Sequence, residues 1–164
     1  MEAAPRSSRK RLVAISLAVA GVLLALQAAF LQVCRVSGAS MEPTYHDGDR
    51  LIVLRGLGEL HRGDVLVVRN PLASQELLVK RVVGLPGETI AGEGATIQID
   101  GAALREPYVK PGTGVGVLVP SQVPAGHVFV LGDNRTESID SRAFGAVSTD
   151  LIVGRVVARV WGST

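Results

Sequence analysis

The segment LLVKRVVGLPGE, residues 77–88, indicates the structural class of this chain, because an apolar, β-branched run ends there in a Pro-Gly turn. Similar runs, most of them bounded by Gly, Pro, Asn or Asp, recur along residues 35–164. Short strands separated by turns in this way are typical of an antiparallel sandwich or barrel. We therefore predict an all-β domain of antiparallel sheets or a small barrel, with strands at Leu51–Leu54, Val65–Val68, Leu77–Val83, Thr96–Ile99, Val128–Leu131 and Leu151–Trp161.

Composition excludes several classes of protein. The chain has 164 residues, 47% of them hydrophobic, and one cysteine, which excludes a disulfide framework and a cysteine-rich zinc module. The formal net charge is +2, but residues 1–11 hold four basic residues against one acidic residue, a net of +3. The remaining residues therefore carry a net charge of −1 and offer no basic surface for a nucleic acid.

A long uncharged run follows the basic N-terminus. Leu12–Cys34 contains 23 residues without a charged side chain, which as a helix is long enough to cross the hydrocarbon core of a bilayer. The positive-inside rule then predicts a cytoplasmic tail at residues 1–11, a transmembrane anchor at 12–34 and an extracytoplasmic domain at 35–164. A cleaved signal peptide is the competing interpretation, but its apolar core is usually only 7–15 residues long.

Three segments of the domain could carry chemistry. The first is VSGASMEPT, residues 36–44, where a serine in a small-residue turn lies just past the predicted anchor. Serines in such turns are usually turn formers, and an unactivated hydroxyl is a poor nucleophile. Ser40 is therefore a candidate only if another group activates it.

The second candidate is Lys80, inside the apolar strand at residues 77–83. On a two-residue period it shares a face with Leu78 and Val82, and burial on that face would lower its pKa. A lysine with a lowered pKa can act as a general base. The alternative is a solvent-exposed lysine on an open strand face, since lysine is almost never fully buried.

The third candidate is the polar segment GDNRTESIDSR, residues 132–142, where charged side chains could lock a loop through charge-assisted hydrogen bonds. A solvated hairpin is the alternative. Asn134 also begins a glycosylation sequon, a short pattern that often arises by chance. His46, His61 and His127 have no distinctive local setting, and they give little support to a metal site.

Taken in order, these segments resemble bacterial type I signal peptidase, a membrane-anchored serine protease with a Ser/Lys dyad. The similarity spans almost the whole chain, and its motifs follow an anchor of the expected orientation. The matching motifs are VSGASMEPT (36–44), RGDV (62–65), KRVVGLPGE (80–88), DG (100–101) through EPY (106–108), and GDNR (132–135) with Ser138, Asp140, Ser141 and Arg142.

The resemblance implies a role for five residues. Ser40 would be the nucleophile and Lys80 the general base. Ser138 would position the lysine ammonium, and Asp140 and Arg142 would form a supporting ion pair. The resemblance implies no metal and no cofactor.

One position departs from part of the family. Gram-negative members have a serine two residues before the nucleophile, and its hydroxyl completes the oxyanion hole. Here that position is Gly38, as in the Gram-positive pattern, so the backbone N–H of Ser40 is one donor and the second stays open. We expect Gly38→Ser to stay active unless Gly38 has a positive φ. We also expect Lys80→Arg to abolish cleavage and Arg81→Lys to be much milder.

The resemblance implies a cell-membrane protease, single-pass with a cytoplasmic N-terminus, that cuts exported preproteins after Ala-x-Ala-like sites. Its expected partners are those preproteins and the phospholipid bilayer, and contact with the export machinery is left open. Two alternatives remain: a maturase for one exported substrate and an inert membrane-tethered binding domain. The SOS-response autoproteases also use a Ser/Lys pair, but they are soluble and carry a DNA-binding domain, whereas this sequence has a predicted anchor and no basic domain. The inert domain requires Ser40 and Lys80 to lie far apart.

Overall fold

The computed structural model describes residues 6–56 and 58–161, and most of them form β-strands. Side chains 6–8, 23–29, 74 and 161 are outside this description. The helices and strands are α1 (Arg6–Phe30), β1 (Leu31–Arg35), β2 (Arg50–Leu54), β3 (Val65–Asn70), β4 (Ala73–Gly84), β5 (Thr89–Gly94), β6 (Thr96–Ile99), β7 (Ala102–Ala103), β8 (Gly116–Gln122), β9 (His127–Leu131), α2 (Ser141–Phe144), β10 (Val147–Ser148) and β11 (Ile152–Trp161), with short 3-10 turns at Arg135–Glu137 and Thr149–Leu151.

The strands form two antiparallel sheets, as the sequence predicts. The larger sheet has the order β1-β2-β11-β3-β4-β9-β10, and the smaller has the order β7-β6-β5-β8. All six predicted strands are present within one or two residues, except that β4 begins four residues earlier than predicted. Strands β1, β5, β7, β8 and β10 were not predicted.

The end of the predicted anchor is wrong. The sequence predicts one helix over residues 12–34, but α1 ends at Phe30 and Leu31–Arg35 forms β1. The physical reason is β2, because Leu31 pairs with Leu54 and Arg35 pairs with Arg50 along a continuous antiparallel register. These pairings satisfy backbone groups that would otherwise extend the helix.

The membrane-spanning expectation lies partly outside the described side chains, since it includes residues 23–29. Within the described part of the chain, no helix has the combined length and hydropathy needed to span a membrane.

Strand β4 contributes to two hydrophobic clusters, and Lys80 lies on the face that belongs to one of them. Val82 packs into a cluster with Leu66 and Val130, whereas Val83 packs into a cluster with Ile90. Neighbouring residues of a strand point to opposite faces, so one strand can contribute to both clusters. Lys80 shares the Val82 face and is the register partner of Leu66.

The large sheet is strongly curled. Strands β1 and β4 are four positions apart in its order, which in a flat sheet would separate them by roughly 19 Å at about 4.8 Å per strand. They nevertheless line a common cleft of about 270 Å³. The curl brings an edge strand against a central strand, in accordance with the predicted barrel-like arrangement.

Candidate active site

Ser40 and Lys80 meet at the end of this cleft. The Nζ atom of Lys80 donates a hydrogen bond to Oγ of Ser40 at 2.7 Å, across 40 positions of sequence. Ser40 lies in the turn that follows β1, and Lys80 lies in β4 with only 2% of its surface exposed. The structure therefore brings the two candidate residues into direct contact, and the alternative of a solvent-exposed lysine is wrong.

Burial changes the protonation of Lys80. Removal of the ammonium from water lowers its pKa from 10.5 to about 8, because the charged form loses its hydration. The carboxylates of Asp140 and Asp133 oppose this change, and the guanidinium of Arg142 adds to it. The apolar face predicted from Leu78 and Val82 thus has the expected effect on the pKa.

Asn134 holds the turn that carries Ser40. Its backbone N–H donates to the carbonyl of Ser40 at 3.0 Å, and its side-chain amide donates to the carbonyl of Ala39 at 3.1 Å. The approach requires glycine at position 132, because a Cβ atom there would lie 2.5 Å from the carbonyl oxygen of Ser40. Sequence reasoning missed this role, and the glycosylation interpretation is wrong because Asn134 is 1% exposed.

Arg81 points away from Lys80 and binds Asp133. Its Nε and Nη2 atoms donate to the two carboxylate oxygens of Asp133 at 2.8 and 2.6 Å, and its Nη1 donates to the carbonyl of Gly63 at 2.8 Å. The guanidinium also lies 4.0 Å from the ring centroid of Tyr108. Lysine cannot reproduce this two-point binding, so Arg81→Lys should cost stability, and its milder effect on cleavage stays a prediction.

Asp133 and Arg135 anchor the same loop from both sides. The hydroxyl of Thr44, in the first motif, donates to Asp133 at 2.5 Å. Arg135 is 2% exposed and donates to Glu106 at 2.6 Å. These contacts join the motifs at residues 36–44, 106–108 and 132–135, which are distant in sequence.

The predicted ion pair of Asp140 and Arg142 is present. Nε and Nη2 of Arg142 each donate to Asp140 at 2.8 Å, and Asp140 also accepts from the N–H of Gly132 at 3.1 Å. Burial acts to raise the pKa of Asp140, but the Arg142 hydrogen bonds, the nearby Ser138 hydroxyl and the Gly132 N–H lower it overall. Asp140 therefore stays ionised near the buried ammonium of Lys80.

Ser138 lies next to the site but does not bind Lys80 in this conformation. Its Oγ atom is buried and has no hydrogen-bond partner among the described residues. A Cβ atom at Gly132 would collide with the Ser138 side chain and with the carbonyl of Ser40, which places Ser138 beside the turn that carries Ser40.

The backbone at Gly38 has a positive φ of +85°. This is the condition under which we expected a serine at position 38 to be strained. The N–H of Gly38 donates to Oδ1 of Asp47 at 2.9 Å, so it is already occupied. The second oxyanion donor is therefore not the Gly38 N–H in this conformation.

The cleft beside Ser40 runs between two strand edges. It is lined by consecutive residues of β1 and β4, which is the pattern expected when backbone edges rather than one side-chain face border a cavity. Strand β9 pairs with β4 only from Arg81 onward, so residues 77–80 keep one unpaired edge. The lining residues are Gln32, Val33, Cys34, Arg35, Val36, Ser37, Ser40, Val67, Leu77, Leu78, Val79 and Lys80.

The histidines do not contribute to this arrangement. His61 lies in the turn before β3 beside Asp64, and His127 contacts the carbonyl of Ala125. In residues 6–56 and 58–161, no three His, Cys, Asp or Glu side chains come together in a group that could hold a metal ion.

Comparison with known proteins gives one consistent family. The family described as "Signal peptidase, peptidase S26" matches residues 9–161. Signal peptidase I T of Bacillus subtilis is 42% identical over 132 residues, which cover 73% of this chain and 68% of that protein. Signal peptidase IB of Staphylococcus aureus is 36% identical over 168 residues, covering 90% and 87%. A crystal structure of a signal peptidase I from Enterococcus faecalis has a TM-score of 0.55 and 31% identity, covering 62% of this chain and all of that one.

Proposed function

Because this chain belongs to the signal peptidase family, peptidase S26, we propose that it removes signal peptides from preproteins with Ser40 as nucleophile and Lys80 as general base. Its class is that of a serine peptidase, a hydrolase. The observation that carries the proposed dyad is the 2.7 Å hydrogen bond between Lys80 Nζ and Ser40 Oγ in a buried setting. An inert binding domain would need no such contact.

The lowered pKa supports a basic role for Lys80. With a pKa of about 8, roughly one tenth of Lys80 is neutral at pH 7. At the reference value of 10.5 the neutral fraction would be only about one in 3,000. Burial therefore increases the amount of working base by roughly 300-fold at pH 7.

The reaction has two proton transfers in its first half. Neutral Lys80 takes the proton of the Ser40 hydroxyl as Oγ bonds to the carbonyl carbon of the scissile peptide. When the C–N bond breaks, the Lys80 ammonium gives that proton to the leaving amine. Water then attacks the acyl-enzyme ester, with Lys80 again accepting a proton, and the peptide acid leaves while Ser40 regains its hydrogen.

The backbone N–H of Ser40 is the first oxyanion donor in this proposal. Among the described residues it has no hydrogen-bond acceptor, so it is free to bind the negative oxygen of the tetrahedral intermediate. The two Asn134 hydrogen bonds to the Ala39 and Ser40 carbonyls support this role, because they fix the peptide unit that contains this N–H and the unit that follows it.

Ser138, Asp140 and Arg142 complete the proposed machinery. Asp140 keeps a negative charge near the Lys80 ammonium, and Arg142 holds that carboxylate in place through two 2.8 Å hydrogen bonds. Among the described residues the buried Ser138 hydroxyl has no hydrogen-bond partner, although it lies close enough to Asp140 to lower the pKa of that carboxyl. A change of rotamer could direct it to the ammonium after Lys80 takes its proton.

The cleft supports binding of an extended peptide. Unpaired edges of β1 and β4 border it, and a peptide placed between them could form strand-like hydrogen bonds with both. A volume of about 270 Å³ suits a few small side chains rather than large ones, in keeping with cleavage after Ala-x-Ala-like sites.

We also propose that the N-terminal helix anchors the protein in the cell membrane, with residues 1–11 cytoplasmic and the β domain extracytoplasmic. The support is the uncharged sequence from Leu12 onward and the exposure of its apolar side chains, such as Leu17 at 68% and Val22 at 59%. Apolar side chains so exposed on one helix are expected where lipid covers them. The bilayer would then be a binding partner alongside the preprotein.

The test is cleavage of several unrelated preproteins by the full-length protein in detergent. We expect Ser40→Ala and Lys80→Met to abolish cleavage while the exposed control Ser121→Ala retains it, with folding checked by circular dichroism. Normal cleavage by a folded Ser40→Ala protein would refute the proposed nucleophile. Cleavage of only one preprotein in the panel would favour a dedicated maturase.

A further inference from the structure

Two exposed arginines, Arg35 and Arg50, stand opposite each other on β1 and β2. Directly opposed residues of an antiparallel pair have Cβ atoms about 5 Å apart, and like charges in such positions are destabilising. Neither arginine forms an ion pair with a carboxylate among the described residues. We call these two residues the arginine pair.

Nearby carboxylates are committed elsewhere. Asp49 is buried and accepts from the backbone of His46 at 3.0 Å and from Arg159 at 3.3 Å. Asp47 accepts the N–H of Gly38 at 2.9 Å. The positive charge of the arginine pair therefore faces solvent and can bind an anion.

The arginine pair borders a groove of about 560 Å³, which Gly48 and Val160 also line among the described side chains. The guanidinium of Arg35 lies beside Gly48, since a Cβ atom there would be in van der Waals contact with its Nη2 at 3.8 Å. Arg35 also lines the cleft that contains Ser40. Arg35 therefore borders both the groove and the cleft.

The position of Arg35 along the cleft identifies which part of a substrate passes it. Strands β1 and β4 both run toward the reacting end, where Ser40 and Lys80 meet, and Arg35 is the last residue of β1. A peptide that fills the cleft up to the scissile bond leaves it at this end. Its residues after the scissile bond therefore lie nearest the groove.

We propose that the arginine pair binds carboxylate side chains in the first residues after the cleavage site of the preprotein. This inference rests on the proposed function. Guanidinium groups bind carboxylates in a two-point geometry that suits this pairing. Exported segments that lie close to an apolar span contain few Lys and Arg residues. The residues after the cleavage site would therefore not repel the positively charged arginine pair.

The experiment compares preprotein substrates that differ only at the second to fifth residues after the scissile bond, with either acidic or glutamine side chains. The full-length protein is assayed in detergent as wild type, as the double variant Arg35→Gln/Arg50→Gln, and as the exposed control Arg105→Gln. The readout is the ratio of kcat/KM for the acidic substrate to that for the glutamine substrate within each protein. Because each ratio is internal, a general loss of activity in the double variant does not affect it.

We expect the wild type and Arg105→Gln to favour the acidic substrate by about threefold to tenfold at low salt, and the double variant to show no preference. Salt at about 0.5 M should remove the wild-type preference, since exposed charge pairs are screened. A preference that survives in the double variant overturns the inference. So does a wild type that cleaves both substrates equally, whereas failure to cleave either one would instead refute the proposed function.

Anionic lipid is the competing partner for a basic groove near a membrane. The same assays with and without phosphatidylglycerol in the micelles separate the two. If the double variant loses only a response to phosphatidylglycerol and keeps the substrate ratio, the groove binds lipid headgroups and the inference is wrong.

Discussion

Replacing Lys80 by methionine should change how the stability of the protein depends on pH. Methionine has a similar length and no charge, so it removes the titration of a side chain that is 2% exposed. The pKa of Lys80 is about 8 in the folded protein against 10.5 for the unfolded reference. Below pH 8 both states carry the charge, and the folded state bears the full desolvation of the ammonium.

The sign and size of the effect follow from proton binding. Between pH 8 and 10.5 the unfolded chain binds the proton that the folded protein has lost, so wild-type stability gains about 1.36 kcal/mol per pH unit from this residue. Over the whole window the gain is about 3 kcal/mol. Lys80→Met lacks this gain, and other groups, including the tyrosines, contribute equally to both proteins.

The measurement is the free energy of unfolding of both full-length proteins by urea in the same detergent, from pH 7 to 11. We expect the difference, wild type minus Lys80→Met, to rise with pH by about 3 kcal/mol and then level off. The difference at a single pH is less informative, because methionine also removes the hydrogen bond to Ser40. A difference that stays constant across this range would show that Lys80 is not desolvated in the folded protein and would remove the physical basis of the proposed base.

Three further substitutions test the same site. Lys80→Arg should lower kcat/KM for preprotein cleavage by at least about 10²-fold to 10⁴-fold at every pH, because arginine cannot give up its proton. Wild-type activity should rise with pH through about 8. Near-normal turnover by the variant would contradict a general base. Asn134→Ala should lower kcat by about tenfold with a smaller change in KM, because it removes the hydrogen bond to the Ala39 carbonyl and loosens the turn that carries Ser40. An unchanged kcat in a folded variant would exclude this positioning role. Arg81→Lys should lower the free energy of unfolding by about 1–3 kcal/mol, because lysine cannot bind both carboxylate oxygens of Asp133. Urea unfolding measures this loss, with Arg105→Lys as an exposed control. Equal stability of the two variants would contradict a structural role for the Arg81–Asp133 contact.

The sequence predicted those parts of the site that leave a pattern in neighbouring residues. The two-residue period around Lys80 predicted the face it shares with Leu78 and Val82 and the opposite direction of Arg81, but it left open whether that face is buried. The family motifs identified Ser40, Asp140 and Arg142, and the structure brings Ser40 to Lys80 and Arg142 to Asp140. Each of these predictions rests either on residues a few positions apart in the sequence or on a short family motif.

Features that depend on distant partners were missed. The run from Leu12 to Cys34 has uniform apolar composition, and only pairing with β2 ends the helix at Phe30. The buried ion pair of Arg135 and Glu106 spans 29 positions without a local signal. Strand β8 carries Val117 at 84% exposure in a glycine-rich context, so it lacks the buried period that identifies a strand.

The contact between Ser40 and Lys80 depends on the curl of the whole large sheet. Ser40 follows the edge strand β1, which among the described residues pairs only with β2. Lys80 belongs to β4, the strand that lies between β3 and β9 in the order of the sheet. Three intervening strands must pack before Oγ and Nζ come within 2.7 Å. Edge strands are held by one ladder of hydrogen bonds and open locally more easily than central strands. Local opening of β1 would therefore separate the nucleophile from its base while the core around Val82 stays folded, so activity should be lost at lower denaturant concentrations than β structure.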